Sequence, residues 1–328
     1  MIISKTPLRC SFFGGGTDFQ DYYDNTSRGF GGVLSTALDM HVYITVNKKF
    51  DDKIRLCYAG NELVDSVDEV KHNIIREALK LTGITKAIEI VYQADIPLST
   101  AGIGLASSSA LAVGVLNALH AYKGEYVRPD QLAREAAHIE IDLLGQRIGI
   151  QDQFAAAFGG FNRYRFHRGG HVSVEPVTAK KETLDALFGS VMLFFTGLTR
   201  DSRQILSEQQ RTISEKMAML DEVGRMVDEA WDALGAGDAD EIGRMLDRAW
   251  QRKKRFAPGV STPLIDEMYR AAMDAGALGG KILGAGGGGF LLVYARREDQ
   301  PAVREALRGY REVPFVPEGQ GSHIVFAD

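Results

Sequence analysis

Cysteine, net charge and long apolar runs are all scarce in this 328-residue chain, and each scarcity excludes a class of protein. Only two cysteines occur, Cys10 and Cys57. A secreted protein held together by disulfides carries more, so we expect a protein of the reducing cytoplasm. The formal net charge of −5 gives no overall attraction to nucleic acid or to an anionic membrane, so neither is expected as a partner.

Apolar residues are never continuous for the roughly 20 positions that a membrane-spanning helix needs. The nearest candidate, residues 103–119, contains three serines and an asparagine. A secretory signal is not expected either, because Lys5 and Arg9 interrupt the first residues, where such a signal has an apolar run. Hydrophobic residues nevertheless make up 45% of the chain, and its length suits roughly two domains of about 150 residues each.

Glycine, in contrast, is abundant, and its 36 residues are clustered. The main clusters fall at residues 14–16, 29–32, 102–104, 159–160 and 284–289. Glycine between apolar segments marks turns, or backbone that must approach something closely. Between these clusters the apolar pattern predicts runs of strands interrupted by helices, which indicates an α+β fold rather than regular βαβ alternation.

The segment 97-PLSTAGIGLASSSALAVGVLNAL-119 predicts a loop of glycine and serine that opens a buried helix ending near Gly124. Unpaired N–H groups at a helix start bind anions, glycine lets phosphate approach the backbone, and serine adds donors or a Mg²⁺ ligand. A tight turn with a serine cap explains the same residues about equally well. The spacing matches neither G-x-x-x-x-G-K-[ST] nor the dinucleotide pattern G-x-G-x-x-G.

Two further glycine clusters lie beside charged residues, and they favour the phosphate loop over the simple turn. Arg9 precedes 14-GGGTD-18, and Lys281 opens 281-KILGAGGGGF-290. With these three motifs in order, essentially the whole chain resembles the superfamily of galactokinase, homoserine kinase, mevalonate kinase and phosphomevalonate kinase. The segments 11-SFFGGGTDFQDYY-23, 151-QDQFAAAFGGFNRY-164 and 194-FFTGLTRDSRQI-205 most resemble its D-glycero-D-manno-heptose 7-phosphate kinase branch.

The resemblance implies a two-lobed small-molecule kinase fold, with mixed or antiparallel sheets covered by helices and the active site between the lobes. The N-terminal lobe, residues 1–160, would hold the phosphate loop, the metal ligands and the catalytic aspartate. The C-terminal lobe, residues 161–328, would supply the glycine-rich turn 284–289.

ATP and Mg²⁺ are the implied cofactors, and the resemblance assigns residues to each of them. The nucleotide phosphates would be bound at Gly102, Gly104, Ser107, Ser108 and Ser109. Ser108 and Glu140 would hold Mg²⁺, although Glu140 taken alone is more simply a solvent-facing helical glutamate. Asp152 would be the catalytic base and Arg9 the positive charge beside the acceptor oxygen. The alternatives are a helix N-cap for Asp152 and a strand-end surface residue for Arg9.

The acceptor is implied to be a sugar phosphate whose hydroxyls meet Thr17 and Asp18, with Gly286 and Gly287 close to it. An aspartate after glycine is often merely a turn residue. Five cations are candidates for the 7-phosphate, without a choice among them: Arg163, Arg200, Arg203, Lys253 and Lys254. The chain departs from similar kinases where residues 98–103 separate Pro97 from Gly104, and where Ala106 replaces a common glycine or serine.

The implied reaction is ATP-dependent phosphorylation of the anomeric hydroxyl of the heptose 7-phosphate, giving a 1,7-bisphosphate for nucleotide-activated heptose. Two alternatives remain: a kinase of a free sugar such as galactose, fucose or mannose, or less readily of mevalonate; and a non-catalytic sugar and nucleotide sensor. A homo-oligomer is possible. Zinc and dinucleotide chemistry are disfavoured, because the seven histidines show no metal spacing and the glycines do not fit.

Overall fold

The computed structural model describes residues 1–96, 102–199, 207–208 and 210–328. Thirteen strands occur in these residues, and in chain order they are β1 (Ile2–Phe13), β2 (Phe30–Lys48), β3 (Ile54–Cys57), β4 (Asn61–Val64), β5 (Ile88–Ala94), β6 (Phe161–His167), β7 (Val172–Pro176), β8 (Val191–Phe195), β9 (Gly279–Ile282), β10 (Phe290–Tyr294), β11 (Arg311–Val313), β12 (Pro317–Glu318) and β13 (His323–Ala327). Ten helices accompany them: α1 (Gln20–Tyr23), α2 (Asn73–Thr82), α3 (Ser107–Tyr122), α4 (Pro129–Ala137), α5 (Gln151–Phe158), α6 (Lys181–Gly189), α7 (Met217–Ala236), α8 (Ala239–Lys253), α9 (Pro263–Asp274) and α10 (Gln300–Ala306).

The strands form two sheets. The nine-stranded sheet runs β13-β1-β2-β5-β3-β4, with β6 and β12 also paired to the long strand β2 and β7 paired to β6. All of its pairs are antiparallel except β3 with β5. The second sheet is antiparallel in the order β11-β8-β10-β9. The expected mixed and antiparallel sheets covered by helices are therefore confirmed.

The sheets do not divide at the expected boundary of residues 160 and 161. Strands β6 and β7, which follow that boundary, pair with β2 through the register Phe30↔His167 to Thr36↔Phe161 and so extend the first sheet. Strands β12 and β13 return to the same sheet from the far end of the chain. The second sheet therefore begins only at β8, and the first sheet contains both ends of the described chain.

Helix α3 is the buried axis of the first half, because its side chains are apolar on nearly every face. It packs on β1 and β2 on one side and on α2, α4 and α5 on the other. Gly114 lets it approach the sheet closely, and the Ser4 hydroxyl donates to the Gly114 carbonyl at 2.8 Å. This packing fixes the direction of α3, so its first turn lines a cavity between the two sheets.

A second core lies under the four-stranded sheet and centres on Trp250, which is fully buried. Helix α8 begins where the Asp238 carboxylate accepts from the Glu241 N–H at 3.0 Å, and α9 begins at Thr262 followed by Pro263. In the described residues no helix is both long and apolar enough to cross a membrane.

Candidate active site

A cavity of about 1040 Å³ opens between the two sheets. Its walls come from the end of β1, the loop before α3, the loop before α5, the end of α8 and the turn after β9. Elements of both sheets therefore contribute, as expected for a site between two lobes. The cavity lining contains most of the residues that the sequence analysis selected, although those residues are scattered over the whole chain.

The loop before α3 forms one end of this cavity. Gly102 and Gly104 have φ of 78° and 83°, and Ala106 also lies in the left-handed region at φ 63°, immediately before the helix. No side chain caps the start of α3, so the N–H groups of its first turn remain available to an anion. Ser107, Ser108 and Ser109 form this turn and line the cavity.

The glycine-rich turn after β9 packs directly on this loop. A Cβ on Gly104 would lie 2.6 Å from the Leu283 carbonyl oxygen, and one on Gly284 would lie 2.6 Å from the Gly104 Cα. Real Cβ atoms do not come this close, so only glycine permits the two backbones to touch. The turn after β9 therefore closes over the loop before α3.

Glu140 is fully buried beside the start of α3. Its carboxylate accepts from the hydroxyls of Ser108 at 2.8 Å and Ser109 at 2.7 Å, and from the Gln153 amide at 2.6 Å. Burial raises the pKa of Glu140 despite these hydrogen bonds, and the nearby charge of Asp152 raises it further. The solvent-facing alternative for Glu140 is therefore excluded.

Ser108 and Glu140 are chemically suited to Mg²⁺, which prefers oxygen ligands and usually has one carboxylate partner. Their oxygens already lie 2.8 Å apart. A buried carboxylate without a lysine or arginine partner in the described residues also favours a bound cation. Ser109 and Gln153 hold the second carboxylate oxygen and so orient the group.

Arg9 and Asp152 form the central ion pair of the cavity. Arg9 donates through Nε and Nη2 to the two Asp152 oxygens at 2.8 and 2.9 Å, and through Nη1 to the Gly104 carbonyl at 2.7 Å. Asp152 lies in the first turn of α5, after Ile150 at the cap position, so it is not the N-cap. Arg9 is buried, so it is not a surface residue at a strand end. Asp152 lines the cavity.

Asp18 also lines the cavity. Its Oδ1 accepts from the Gly16 N–H at 3.0 Å, and its Oδ2 accepts from the Gln151 amide at 2.9 Å. Burial raises the pKa of Asp18, and the Asp152 charge adds to the effect. A Cβ on Gly149 would lie 2.0 Å from Asp18 Oδ2, so a glycine is required where the loop passes this carboxylate.

Thr17 does not share this position. It is fully buried, its hydroxyl donates to the carbonyls of Gly14 and Gly32 and accepts from the Gly32 N–H, and it is absent from the cavity lining. Its side chain therefore shapes the turn and has no free group for a sugar hydroxyl. Gly286 lines the cavity, whereas Gly287 uses its N–H on the Val260 carbonyl at 2.8 Å and lies behind the wall.

The five candidate cations for an acceptor phosphate have different surroundings. Arg163 is bound by Glu175 and stacks on Trp231 at 3.8 Å, outside the cavity lining. Lys254 lies over Trp250 and also outside it. Arg200 and Arg203 lie outside the described residues. Lys253 is the one of the three described candidates that lines the cavity.

Sequence reasoning gave no role to several residues of the site. Gln151 donates to Asp18 and Gln153 donates to Glu140, and a glutamine on either side of Asp152 gives no distinct sequence signal. Lys281 was noted only as the start of a glycine motif, yet its side chain lines the cavity. The cavity also has apolar lining residues: Val42, Ile74, Tyr92, Ala94, Ile96 and Leu111.

Comparison with known proteins agrees with this geometry. Residues 69–160 match the GHMP kinases N terminal domain, and residues 230–312 match the GHMP kinases C terminal domain. The chain is 29% identical to a D-glycero-alpha-D-manno-heptose 7-phosphate kinase of Campylobacter jejuni, over 97% of both chains. It is 26% identical to a galactokinase of Pyrococcus furiosus, over 93% of this chain and 92% of the relative.

Solved structures give the same result. A D-glycero-D-manno-heptose 1-phosphate kinase of Bacteroides thetaiotaomicron is 26% identical and superimposes with a TM-score of 0.81 over 100% of both chains. A mevalonate kinase structure at 18% identity and a TM-score of 0.74 shares the fold. Together the two domain matches cover more than half of the 328 residues. The family and the enzyme class expected from the three glycine motifs are thus confirmed, and the chain belongs to the GHMP kinases.

Proposed function

We propose that this enzyme is an ATP-dependent sugar kinase that phosphorylates the anomeric hydroxyl of D-glycero-D-manno-heptose 7-phosphate. The observation that carries the proposal is the Arg9–Asp152 pair, which lies between the phosphate loop and Asp18. In this proposal the Asp152 carboxylate faces the anomeric hydroxyl of the sugar, which in turn faces the γ-phosphate of ATP. The names of the heptose kinase relatives support the choice of sugar.

Each site residue has a role in this reaction. The N–H groups at the start of α3 bind the nucleotide phosphates, and the apolar lining residues of the cavity contact the base. Ser108 and Glu140 would hold Mg²⁺, which neutralises charge on the phosphate oxygens when bound. Asp18 accepts hydrogen bonds from sugar hydroxyls and orients the ring. Gly286 leaves room for the acceptor beside the transferring group.

The chemical step begins with proton transfer. Asp152 accepts the proton of the anomeric hydroxyl as its oxygen attacks the γ-phosphorus. The bond from that phosphorus to the β,γ-bridging oxygen breaks, and ADP leaves with the electron pair. Arg9 stabilises the charge that develops on the attacking oxygen, and through Gly104 it holds the loop at a fixed distance from the base.

A phosphorylation of free sugars by the same residues is the second candidate, because a galactokinase is among the relatives. The two heptose kinase relatives also differ in their named acceptors. A heptose 1-phosphate has no free anomeric hydroxyl, so the reacting oxygen would be a different one.

The test is ADP release with Mg-ATP and a panel of acceptors: the heptose 7-phosphate, the heptose 1-phosphate, mannose, galactose, fucose and mevalonate. We expect turnover to be selective for the 7-phosphate, with a 1,7-bisphosphate product identified by phosphorus NMR. Selective turnover of a free sugar would be consistent with the proposed mechanism but would contradict the heptose 7-phosphate as the acceptor. ATP binding without turnover of any acceptor would favour a sensor. We place the reaction in the cytoplasm, where it would supply a nucleotide-activated heptose for surface polysaccharide.

A further inference from the structure

Two lysines of the cavity have no carboxylate partner in the described part of the chain. Lys253, at the end of α8, donates through Nζ to the carbonyls of Ile282 and Gly284. Lys281, on β9, donates through Nζ to the carbonyls of Ser11 at 2.9 Å and Phe12 at 2.7 Å. An ammonium group has three N–H donors, so each lysine retains one beyond its two carbonyls.

The charges around these lysines are unbalanced. Arg9 is the third cation of the group, and its guanidinium is already engaged by both oxygens of Asp152. Burial and the neighbouring cations lower the pKa of Lys253 well below its usual value. Burial also lowers the pKa of Lys281 to about 8. A dianion between the two ammonium groups would offset both the burial and the mutual repulsion.

The contacts of the two lysines locate them in the cavity wall. Lys281 is bonded to the last residues of β1, just before the turn 14–16 that leads to Asp18. Beyond the end of α8, Phe256 lies against the same turn, because a Cβ on Gly16 would be 3.6 Å from its ring. Lys281 therefore lies beside the turn 14–16. Lys253 holds the Gly284 carbonyl, and Gly284 packs on Gly104 of the loop before α3, so the two lysines line the cavity between that turn and that loop.

We propose that Lys253 and Lys281 together bind the phosphate group that the acceptor carries away from its reacting hydroxyl. The inference rests on the proposed function, because it assumes an acceptor that is a sugar phosphate. It assigns the selectivity for a phosphorylated sugar to two residues of the second lobe. A neutral sugar of the same shape leaves both ammonium groups buried and without a counter-charge, and therefore binds weakly.

The experiment compares Lys253→Met with Lys254→Met, its neighbour outside the cavity. Steady-state kinetics are measured with the heptose 7-phosphate and with the unphosphorylated heptose, and MgADP affinity is measured by calorimetry. We expect Lys253→Met to raise KM for the phosphorylated sugar by about 10- to 100-fold, the loss typical of one charged hydrogen bond. KM for the neutral sugar should not rise, because that sugar has no phosphate for the lysine to bind, and Kd for MgADP should stay within about twofold of wild type. Lys254→Met should behave as wild type, and Lys253→Arg should retain most of the affinity.

A weaker affinity for MgADP in Lys253→Met would overturn the inference, because the phosphate bound by the lysine would then be the nucleotide's. Equal losses with both sugars, or no loss with either, would overturn it as well. Lys253 also holds two carbonyls, so melting temperatures of all variants are compared, and Lys281→Met provides a second test if Lys253→Met does not fold.

Melting temperatures measured with inorganic phosphate test the anion site independently of the proposed function. We expect millimolar phosphate to raise the melting temperature of the wild type and of Lys254→Met, and not of Lys253→Met or Lys281→Met. If phosphate protects through these lysines while no heptose phosphate is turned over, the proposed acceptor is wrong and the anion site stands. If the heptose 7-phosphate is a good substrate and the lysine variants keep its KM, the anion site is wrong and the proposed function stands.

Discussion

The side chain of Arg9 connects two parts of the cavity wall, the first turn of α5 and the loop before α3. Its guanidinium binds Asp152, 143 positions away in the chain, and at the same time the Gly104 carbonyl of the phosphate loop. The planar group has five donors in fixed directions, so it holds the Asp152 carboxylate at a fixed position relative to the loop before α3. A lysine, with one mobile charge, would not impose the same geometry.

Asp152→Asn tests the base directly. The amide keeps the size of the side chain but cannot take a proton, so we expect kcat to fall by about 10²- to 10⁴-fold. Nucleotide affinity, measured by calorimetry with MgADP, should remain close to that of wild type. Asp142→Asn, which changes an exposed carboxylate bonded to His138, provides the matched control. Near-full turnover in Asp152→Asn would reject Asp152 as the base.

Sequence reasoning brought together most of these residues, because their motifs are local and chemically distinctive. Arg9, Ser108, Glu140 and Asp152 do meet in one cavity wall or just behind it. The sequence could not show that Asp18 lines the cavity while Thr17 does not. The conformation of the turn decides which of the two side chains bonds to the backbone, and here it is Thr17. Burial and pairing decide such cases, and they depend on residues far away in the chain.

The spacing of apolar residues predicts where helices occur, but not their exact bounds or their type. The apolar residues Leu132, Ala136, Ile139 and Leu143 have the spacing of one continuous helix that begins at Pro129. Regular α-helix nevertheless ends at Ala137, and a wider π-helical turn covers His138–Leu143. Such turns often occur at functional sites, and this one carries Glu140. The sequence 66-SVDE-69 is a capping box, which predicts a helix start at Ser66. The α-helix α2 begins only at Asn73, after a short 3₁₀ turn at Val67–Glu69. Amphipathic spacing reports which face is buried and not how tightly the backbone winds.

Ala106 stores strain at the start of α3. Its left-handed φ of 63° disfavours any residue with a Cβ, whereas glycine adopts this conformation readily. We therefore expect Ala106→Gly to raise the free energy of unfolding by about 0.5–1 kcal/mol, measured by urea denaturation. Ala121→Gly, within the same helix, should lower it by about 1 kcal/mol. A loss of stability in Ala106→Gly would show that the methyl group has a packing role that outweighs the strain.

His120 links α3 to α4 through charge. Its Nδ1 lies 2.7 Å from Glu125 and its Nε2 lies 2.8 Å from Glu135, and these hydrogen bonds, first the one with Glu135, raise the pKa of His120. Because the folded value lies above the unfolded one, protonation favours the folded state. The stabilisation is complete below the ordinary histidine value and disappears as the pH rises through the raised value.

The corresponding measurement is the urea midpoint of wild type and His120→Gln between about pH 5.5 and pH 9. We expect the difference between the two proteins to be largest at the acid end and to shrink as the pH rises. The lowered pKa values of Glu125 and Glu135 act below this range, so they do not disturb the comparison. A difference that grows with pH would contradict the assignment. Other histidines with lowered pKa values, such as His72, cancel between the two proteins.

At the scale of the whole molecule, the sequence predicted the class of fold and placed the site between two lobes, but not the division between the sheets. Antiparallel pairing of β6 with β2 joins residues more than a hundred positions apart. Local propensity contains no information about such partners, because the pairing depends on which strand edges remain open. The resemblance supplied the architecture that periodicity alone left undetermined.

The two cysteines offer a test of global stability. Cys10 is fully buried within β1, and burial raises the pKa of its thiol to about 12, whereas Cys57 is only half-buried at the end of β3. Since the thiolate is the reactive form, we expect a thiol reagent to label one cysteine of the native protein quickly and two after denaturation. Cys57→Ser should leave only the slow reaction, and a nucleotide that binds the native state should slow it further. Fast labelling of Cys57→Ser would show that the middle of the large sheet opens locally.

Strand β13 pairs with β1, so residues 323–327 cover an edge formed by residues 2–5. During synthesis on the ribosome, β1 emerges early but receives this neighbour only after more than three hundred further residues have been added. Until then its outer edge is unpaired and able to join other strands. The nascent chain therefore has a long interval in which chaperone binding matters most, and a stop codon before residue 323 would leave that edge permanently open.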